Sequence, residues 1–222
     1  MKMKIKIKLL PNQNLFFTSD THYNHNKICS ANIETLGTIR MFPSLDEMNQ
    51  TIIDNINNLV KPDDYLIHCG DVSFGGFDSM KYFLSQINCE NIILVLGNHD
   101  HHIENNKERI RDRFIQVCDL LDLELWVPLD KSLYENIQGQ SPWKKHRYFI
   151  SHYPIMSWKD MNQGVMHVHG HVHLDSENKI GSNKMIDCGM DGNDLKPYHY
   201  SEINRLLKNQ PINSPIKNDH HV

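Results

Sequence analysis

The 222-residue sequence lacks a basic excess: 23 Lys and Arg stand against 27 Asp and Glu, a formal charge of −4. With a pI near 6.4, the chain offers no overall field that would draw nucleic acid non-specifically, although a small substrate can still be a nucleotide. Paired cysteines are lacking too. Cys29, Cys69, Cys89, Cys118 and Cys188 are odd in number, widely spaced and without a CxxC pair, which argues against a disulfide framework or thiolate zinc site and fits a reducing compartment. No apolar run is long enough to span a bilayer. The N-terminus alternates Lys with Met or Ile instead of carrying the continuous apolar core of a signal peptide. No membrane partner and a cytoplasmic location are therefore expected. Neither an internal repeat nor a linker divides the chain, so residues 1–209 read as one domain, with 210–222 as a flexible tail. Oligomeric state is left open.

What the sequence has in unusual number is histidine, 15 residues, most of them in or beside a few short motifs. Lys2–Leu10 alternates Lys with apolar residues, the period of a half-buried strand. Leu15–Ser19 is a short apolar strand running into Asp20-Thr21-His22. Ser44-Leu45-Asp46-Glu47 is a capping box, followed by Met48, Ile52, Ile53, Ile56 and Leu59 at helical spacing up to Pro62. Tyr65–Cys69 is a buried strand ending at Gly70-Asp71. Met80, Phe83, Leu84 and Ile87 mark a second amphipathic helix, and Asn91–Leu96 a buried strand ending in Gly97-Asn98-His99-Asp100. The charged stretch Glu104–Gln116 is expected to be a solvated helix. From Leu120 the chain turns β-rich, with strands at Leu123–Leu129, Arg147–Ser151, Val165–His173 and Lys184–Cys188, before a last short helix starting at Ser201. This second β-rich half reads as a second sheet.

Ligand-type residues thus recur just past strand carboxyl ends, where α/β sheets place their sites. In the extended tip Gly170-His171-Val172-His173, residues two apart point the same way, so His171 and His173 can face one centre. Alone, such a pair is better read as a histidine strand satisfying its own rings, and a lone Asp20 as a turn carboxylate. Taken together, Asp20, His22, Asp71, Asn98, His99, His152, His171 and His173 combine imidazole nitrogens with hard oxygens. That mixture suits Mn²⁺, Fe, Zn²⁺ or Ni²⁺ more than Ca²⁺ or Mg²⁺. So many ligands exceed one tetrahedral ion and suit two ions that share a carboxylate.

In their order and approximate spacing, DTH (20–22), GD (70–71), GNHD (97–100), SH (151–152) and GHVH (170–173) resemble the motifs of the calcineurin-like metallophosphoesterases. The resemblance runs from Asp20 to His173 and implies an α/β fold, a two-sheet sandwich flanked by helices (four-layer αββα), with a dinuclear centre between the sheets. It places Asp20, His22 and His173 on one metal, Asn98, His152 and His171 on the other, and Asp71 between them. His99 matches the family's proton donor and Asp100 the residue that orients it. The implied reaction is hydrolysis of a small phosphodiester, phosphomonoester or nucleotide by in-line attack of a hydroxide held between two transition-metal ions, manganese foremost. Protein Ser/Thr phosphatases carry Asp-Arg-Gly after GD and use GNHE; Val72-Ser73-Phe74 and Asp100 stand here instead. Asp20–His25, Arg40 and Trp158 bring the chain nearer to small stand-alone phosphoesterases of bacteria and phages. A non-catalytic scaffold of the same fold is the rival reading, although none of the ligand positions is missing.

For substrate contacts, His25 and Arg40 are the candidates, as donors close to the first ligand motif. His101 and His102 read as exposed loop residues, His68, His167 and His169 as buried support, and Trp158 as core more than as a base-stacking ring.

Overall fold

The computed structural model describes residues 2–29, 40–110, 113–129 and 141–212. Among the described residues, ten strands form two five-stranded sheets. In the first sheet, β2 (Leu15–Thr18), β3 (Tyr65–His68), β4 (Asn91–Val95) and β5 (Gln116–Cys118) run parallel, and β10 (Tyr198–His199) adds antiparallel to β2. The second sheet has the order β1 (Lys2–Lys8), β6 (Leu120–Pro128), β7 (Trp143–Ser151), β8 (Met166–His169) and β9 (Met185–Asp187). Its β1 pairs parallel with β6, β6 antiparallel with β7, and β7, β8 and β9 run parallel.

Period-two alternation decides where the core lies. Leu15, Phe17, Ile67, Ile93 and Val95 from the first sheet meet Leu121, Leu123, Leu125, Tyr148, Ile150 and Val168 from the second in one buried cluster. The alternate residues Phe16, Leu66, Ile92 and Leu94 point outward under α1 (Leu45–Leu59) and α2 (Gly76–Gln86). α1 begins where the capping box predicts: the Ser44 hydroxyl accepts the Glu47 amide at 3.1 Å, a contact worth about 1 kcal/mol. The last helix, which starts at Tyr200 and ends at Leu207, closes the sandwich edge with Ile203 and Leu207.

Three local expectations change. Glu104–Gln116 is not one helix: His101–Glu104 is a single helical turn, Lys107–Ile110 a 3-10 turn, and Gln116 already belongs to β5. The strand of 165–173 stops at His169, and β7 begins at Trp143, four residues before Arg147. Of the tail, 213–222 lies outside the described residues. Among the described residues no helix is long and apolar enough to cross a membrane.

Candidate metal centre

The carboxyl ends of β2, β3, β4, β7, β8 and β9 meet at one edge of the sandwich, and main-chain bonds stitch them together. Asp20 N donates to Gly70 O at 2.9 Å, His22 N to Asp71 O at 3.1 Å, and Gly170 N to His152 O at 2.9 Å. Gly170 permits the closest approach, since a Cβ there would stand 1.9 Å from Ser19 Oγ and 2.4 Å from Asp20 Oδ2.

The side chains converge for a different reason than an extended tip. His171 and His173 have φ of 74° and 51°, and Asp20, His22 and Asp71 have 54°, 45° and 57°. These left-handed conformations are uncommon for residues with a Cβ and cost roughly 1–3 kcal/mol each. Tight turns, not strand periodicity, aim the ligand-type groups inward. Asp20 Oδ2 helps hold one turn by accepting the His171 amide at 3.0 Å.

Two groups of donor atoms result. Asp20 Oδ1 lies 3.8 Å from His22 Nε2 and 3.7 Å from His173 Nε2, and those two ring nitrogens are 3.0 Å apart in nearly parallel rings. On the other side, His152 Nε2 is 3.0 Å from Asn98 Oδ1 and 3.5 Å from Asp71 Oδ2, and the His171 ring packs against His152 at 5.0 Å. Asp71 Oδ2 is also 3.8 Å from His22 Nε2, so this carboxylate faces both groups. Ligand atoms of Asp20, His22 and His173, and of Asp20, Asp71 and His152, each lie within 4.8 Å of one another.

The chemistry of these donors fits cations. His152 donates Nδ1–H to the Cys69 carbonyl at 2.8 Å, which leaves Nε2 as the ring nitrogen that can offer a lone pair to a metal, beside two oxygens. Asp20 Oδ1 is buried with no hydrogen-bond partner. Burial pushes the Asp20 carboxyl up to about 6, against the pull of His173 and His152. His22 goes the other way, its pKa lowered well below the usual range by burial and then by His173. His173 is raised despite burial, because Asp191 and Asp20 favour its charged form. Convergent lone pairs with excess demand for positive charge are what a metal pair satisfies.

The supporting groups were less legible. His173 Nδ1 donates to Asp191 Oδ2 at 2.7 Å, the carboxylate–histidine pairing that orients metal ligands. Arg40 holds Asp191 from below, with Nε and Nη2 at 2.7 and 2.9 Å, and donates to the carbonyls of Thr21 and Asp20. Arg40, expected as a substrate contact, is 3% exposed, with its guanidinium hydrogen-bonded under the first ligand turn. Burial works to raise the Asp191 carboxyl, but Arg40 and His173 hold it at about 2. Asp191 follows β9 as a single carboxylate in Met190–Asn193, without a pattern that marks it in the sequence.

Asp100, expected beside the His99 ring, accepts hydrogen bonds from three backbone amides. Its Oδ2 accepts the amides of Gly97 and Asp71 at 2.8 Å each, and its Oδ1 the Val72 amide at 2.9 Å. It ties the turn after β4 to the turn after β3. The His99 amide in turn donates to Asp71 Oδ1 at 2.8 Å.

A cavity of about 250 Å³ opens over the centre, lined by His22, His25, Ile28, Asp71, Asn98, His99, His171, Val172 and His173. His25 does face it, lying flat on Phe74 with centroids 3.7 Å apart, and burial followed by the nearby His99 pushes its pKa down to about 4. Ile28, in the single helical turn Asn26–Cys29, and the loop residues Phe74 and Val172 carry no periodic signal in the sequence. Tyr153 stands at the His171 side, its ring 4.6 Å away. His101 and His102 lie outside the cavity lining. His68, His167 and His169 are buried and hydrogen-bonded, and Trp158 packs with Phe149, Met161 and Val165 while donating to the Val165 carbonyl.

Comparison with known proteins gives four further findings. The family model described as calcineurin-like phosphoesterase matches residues 14–196. Gene 66 protein of Mycobacterium phage D29 is 25% identical over 204 residues, 83% of this chain and 92% of that protein. The uncharacterized protein MJ1445 of Methanocaldococcus jannaschii is 36% identical over 88 residues, 39% of this chain but only 46% of the relative. A solved structure of a protein of unknown function from Aquifex aeolicus has a TM-score of 0.55 at 24% identity, covering 88% of this chain and all of the other, which shows the shared fold.

Proposed function

The chain belongs to the calcineurin-like phosphoesterase family, and from that premise we propose that it is a dinuclear-metal phosphoesterase acting on a small phosphodiester, phosphomonoester or nucleotide. The observation that carries this reading is Asp71, whose Oδ2 lies within 3.8 Å of His22 Nε2 and 3.5 Å of His152 Nε2. One buried carboxylate serves two groups of ligand atoms. Asp20, His22 and His173 would hold one ion, Asn98, His152 and His171 the other, and Asp71 both. Manganese leads a choice that includes iron, zinc and nickel. Two such ions, when bound, polarise the phosphoryl group and make a water nucleophilic near neutral pH.

The chain's own groups supply the rest. His99 is anchored through its amide to Asp71, yet 44% of its side chain is exposed, with Nε2 4.0 Å from Asp71 Oδ2. In this reading its ring protonates the leaving oxygen, a contribution of about 10²–10⁴-fold. Asp100 acts through the backbone, holding the His99 and Asp71 turns in register. His25, neutral at pH 7 and braced on Phe74, offers a hydrogen bond to the substrate. The cavity, about 250 Å³, has room for a phosphoryl group and part of the group it is attached to, with Val172 in its lining and Tyr153 beside His171.

The test is a panel of nucleotides, cyclic nucleotides, sugar phosphates and para-nitrophenyl esters with manganese-loaded protein. Turnover of at least one phosphoester, abolished by chelation and restored by metal, is expected. Failure across the panel by fully metallated protein would favour a non-catalytic scaffold.

A further inference from the structure

The outer face of the second sheet carries a surface the phosphoesterase reading does not use. β1 is an edge strand, and Lys2, Lys4, Lys6 and Lys8 alternate onto the face turned away from the inter-sheet core. Beside them, β6 presents Trp126 and β7 presents Trp143, Lys145 and Arg147. Register places Lys8 opposite Trp126, Trp126 opposite Lys145 and Pro128 opposite Trp143. The two indoles are thus diagonal neighbours, with backbones about 7–8 Å apart.

The charges on this face are uneven. Its acids are Asp122, Glu124 and Asp160: Asp122 is bound by Lys159 at 2.6 Å, Glu124 is paired with Lys4 at 3.4 Å, and Asp160 is paired with Arg147. The remaining lysines rest on aromatic rings. Lys6 Nζ lies 4.6 Å and Lys145 Nζ 5.6 Å from the Trp126 centroid, and Lys8 Nζ 5.1 Å from that of Trp143. The net charge of −4 conceals a local basic strip with indoles set into it.

Lysines on an edge strand also guard against edge-to-edge pairing, and that role explains β1. It does not explain two tryptophans on the exposed side of β6 and β7, where bulky rings gain little from water. Cations interleaved with half-buried aromatic rings on an open sheet match the chemistry of single-stranded nucleic acid, with phosphates on lysines and bases on ring faces. We propose that this face binds single-stranded nucleic acid, with Trp126 and Trp143 as stacking platforms and Lys6, Lys8 and Lys145 as phosphate contacts. The seven residues of β1 extend about 23 Å, a footprint at the short end of the ~4–16 nucleotides usual for such surfaces. At the other end of β7, Phe149 is covered by Trp158 and Met161, which bounds the strip on the side of His152.

The experiment uses the full-length, metal-loaded protein and a fluorescein-labelled oligo-dT twelve-mer whose integrity is checked on a gel. Saturable binding at low salt is expected. Trp126→Ala and Trp143→Ala should each weaken it ~10-fold or more, while the gentler Trp143→Leu, checked by thermal melting, guards against misfolding. Lys6→Gln with Lys8→Gln should lower the salt slope by about 0.7 per lost phosphate contact. Turnover of para-nitrophenyl esters should not change in any of these variants, which separates this surface from the catalytic reading. No binding at low salt overturns the proposal, as does binding by folded tryptophan variants equal to wild type. Preference for anionic phospholipid vesicles over the oligonucleotide overturns it too.

Discussion

Asp191 Oδ2 stands 2.7 Å from His173 Nδ1, and Arg40 grips the same carboxylate through Nε at 2.7 Å and Nη2 at 2.9 Å. His173 is thereby fixed with its proton on Nδ1 and its Nε2 lone pair directed at Asp20 and His22. Asp191→Asn keeps the shape and removes the charge. The variant should bind metal about 10–100-fold more weakly, read by manganese titration monitored calorimetrically. An unchanged affinity would show that Asp191 only supports the fold.

His99→Gln removes the proposed proton donor without emptying the cavity wall. For alkyl phosphoesters, whose leaving groups need a proton, kcat should fall about 10²–10⁴-fold. Para-nitrophenyl esters, whose leaving group departs as an anion, should lose far less. Equal losses on both substrate types would take the general-acid role away from His99.

Gly170→Ala tests the closeness of the two sheets at the centre. Its Cβ would stand 1.9 Å from Ser19 Oγ and 2.4 Å from Asp20 Oδ2, so either the turn or Asp20 must move. Because Asp20 belongs to a rigid, fully buried set, we expect destabilisation of about 2 kcal/mol or more, together with weaker metal binding. Denaturant unfolding and metal titration of the same preparation check both effects.

His167 links stability to pH away from the metal site. It donates through Nδ1 to the Phe149 carbonyl at 3.0 Å and accepts the Ile155 amide at Nε2 at 3.1 Å. Burial pushes its pKa from the ordinary 6.5 down to about 3. The unfolded chain therefore takes up a proton that the native ring refuses. Stability from this residue is complete above pH 6.5 and is lost as pH falls towards 3, by about 2 kcal/mol at pH 5. Urea unfolding at pH 7 and pH 5 should show His167→Gln losing about that much less than wild type between the two. Parallel losses would remove His167 from the acid sensitivity.

Much of the candidate site is legible in the sequence because metal ligation would demand particular atoms. Asp20, His22, Asp71, Asn98, His152, His171 and His173 stand out by residue type, and the strands that carry them by apolar runs. The reason they converge was not legible. Period-two geometry was the natural inference for His171 and His173, yet both have positive φ, which residue type does not announce. Asp191 and Arg40 lie far apart in sequence and act only through His173 and the Asp20 turn, so tertiary geometry alone joins them. Asp100 adjoins His99 in sequence but spends its oxygens on the backbone of another loop. The pairing of β1 with β6 is equally non-local, since alternation marks a strand without naming its neighbour.

In the proposed function, Asp71 joins two metal sites in one catalytic centre. The most direct measurement is metal content per chain, by elemental analysis after manganese loading and desalting, for wild type and Asp71→Asn, alongside turnover of bis-para-nitrophenyl phosphate. About two ions per wild-type chain with chelator-sensitive turnover are expected, and loss of at least one ion together with that turnover in the variant. Wild-type protein that binds no metal and hydrolyses no ester, or an Asp71→Asn variant that retains both ions and full activity, would contradict it.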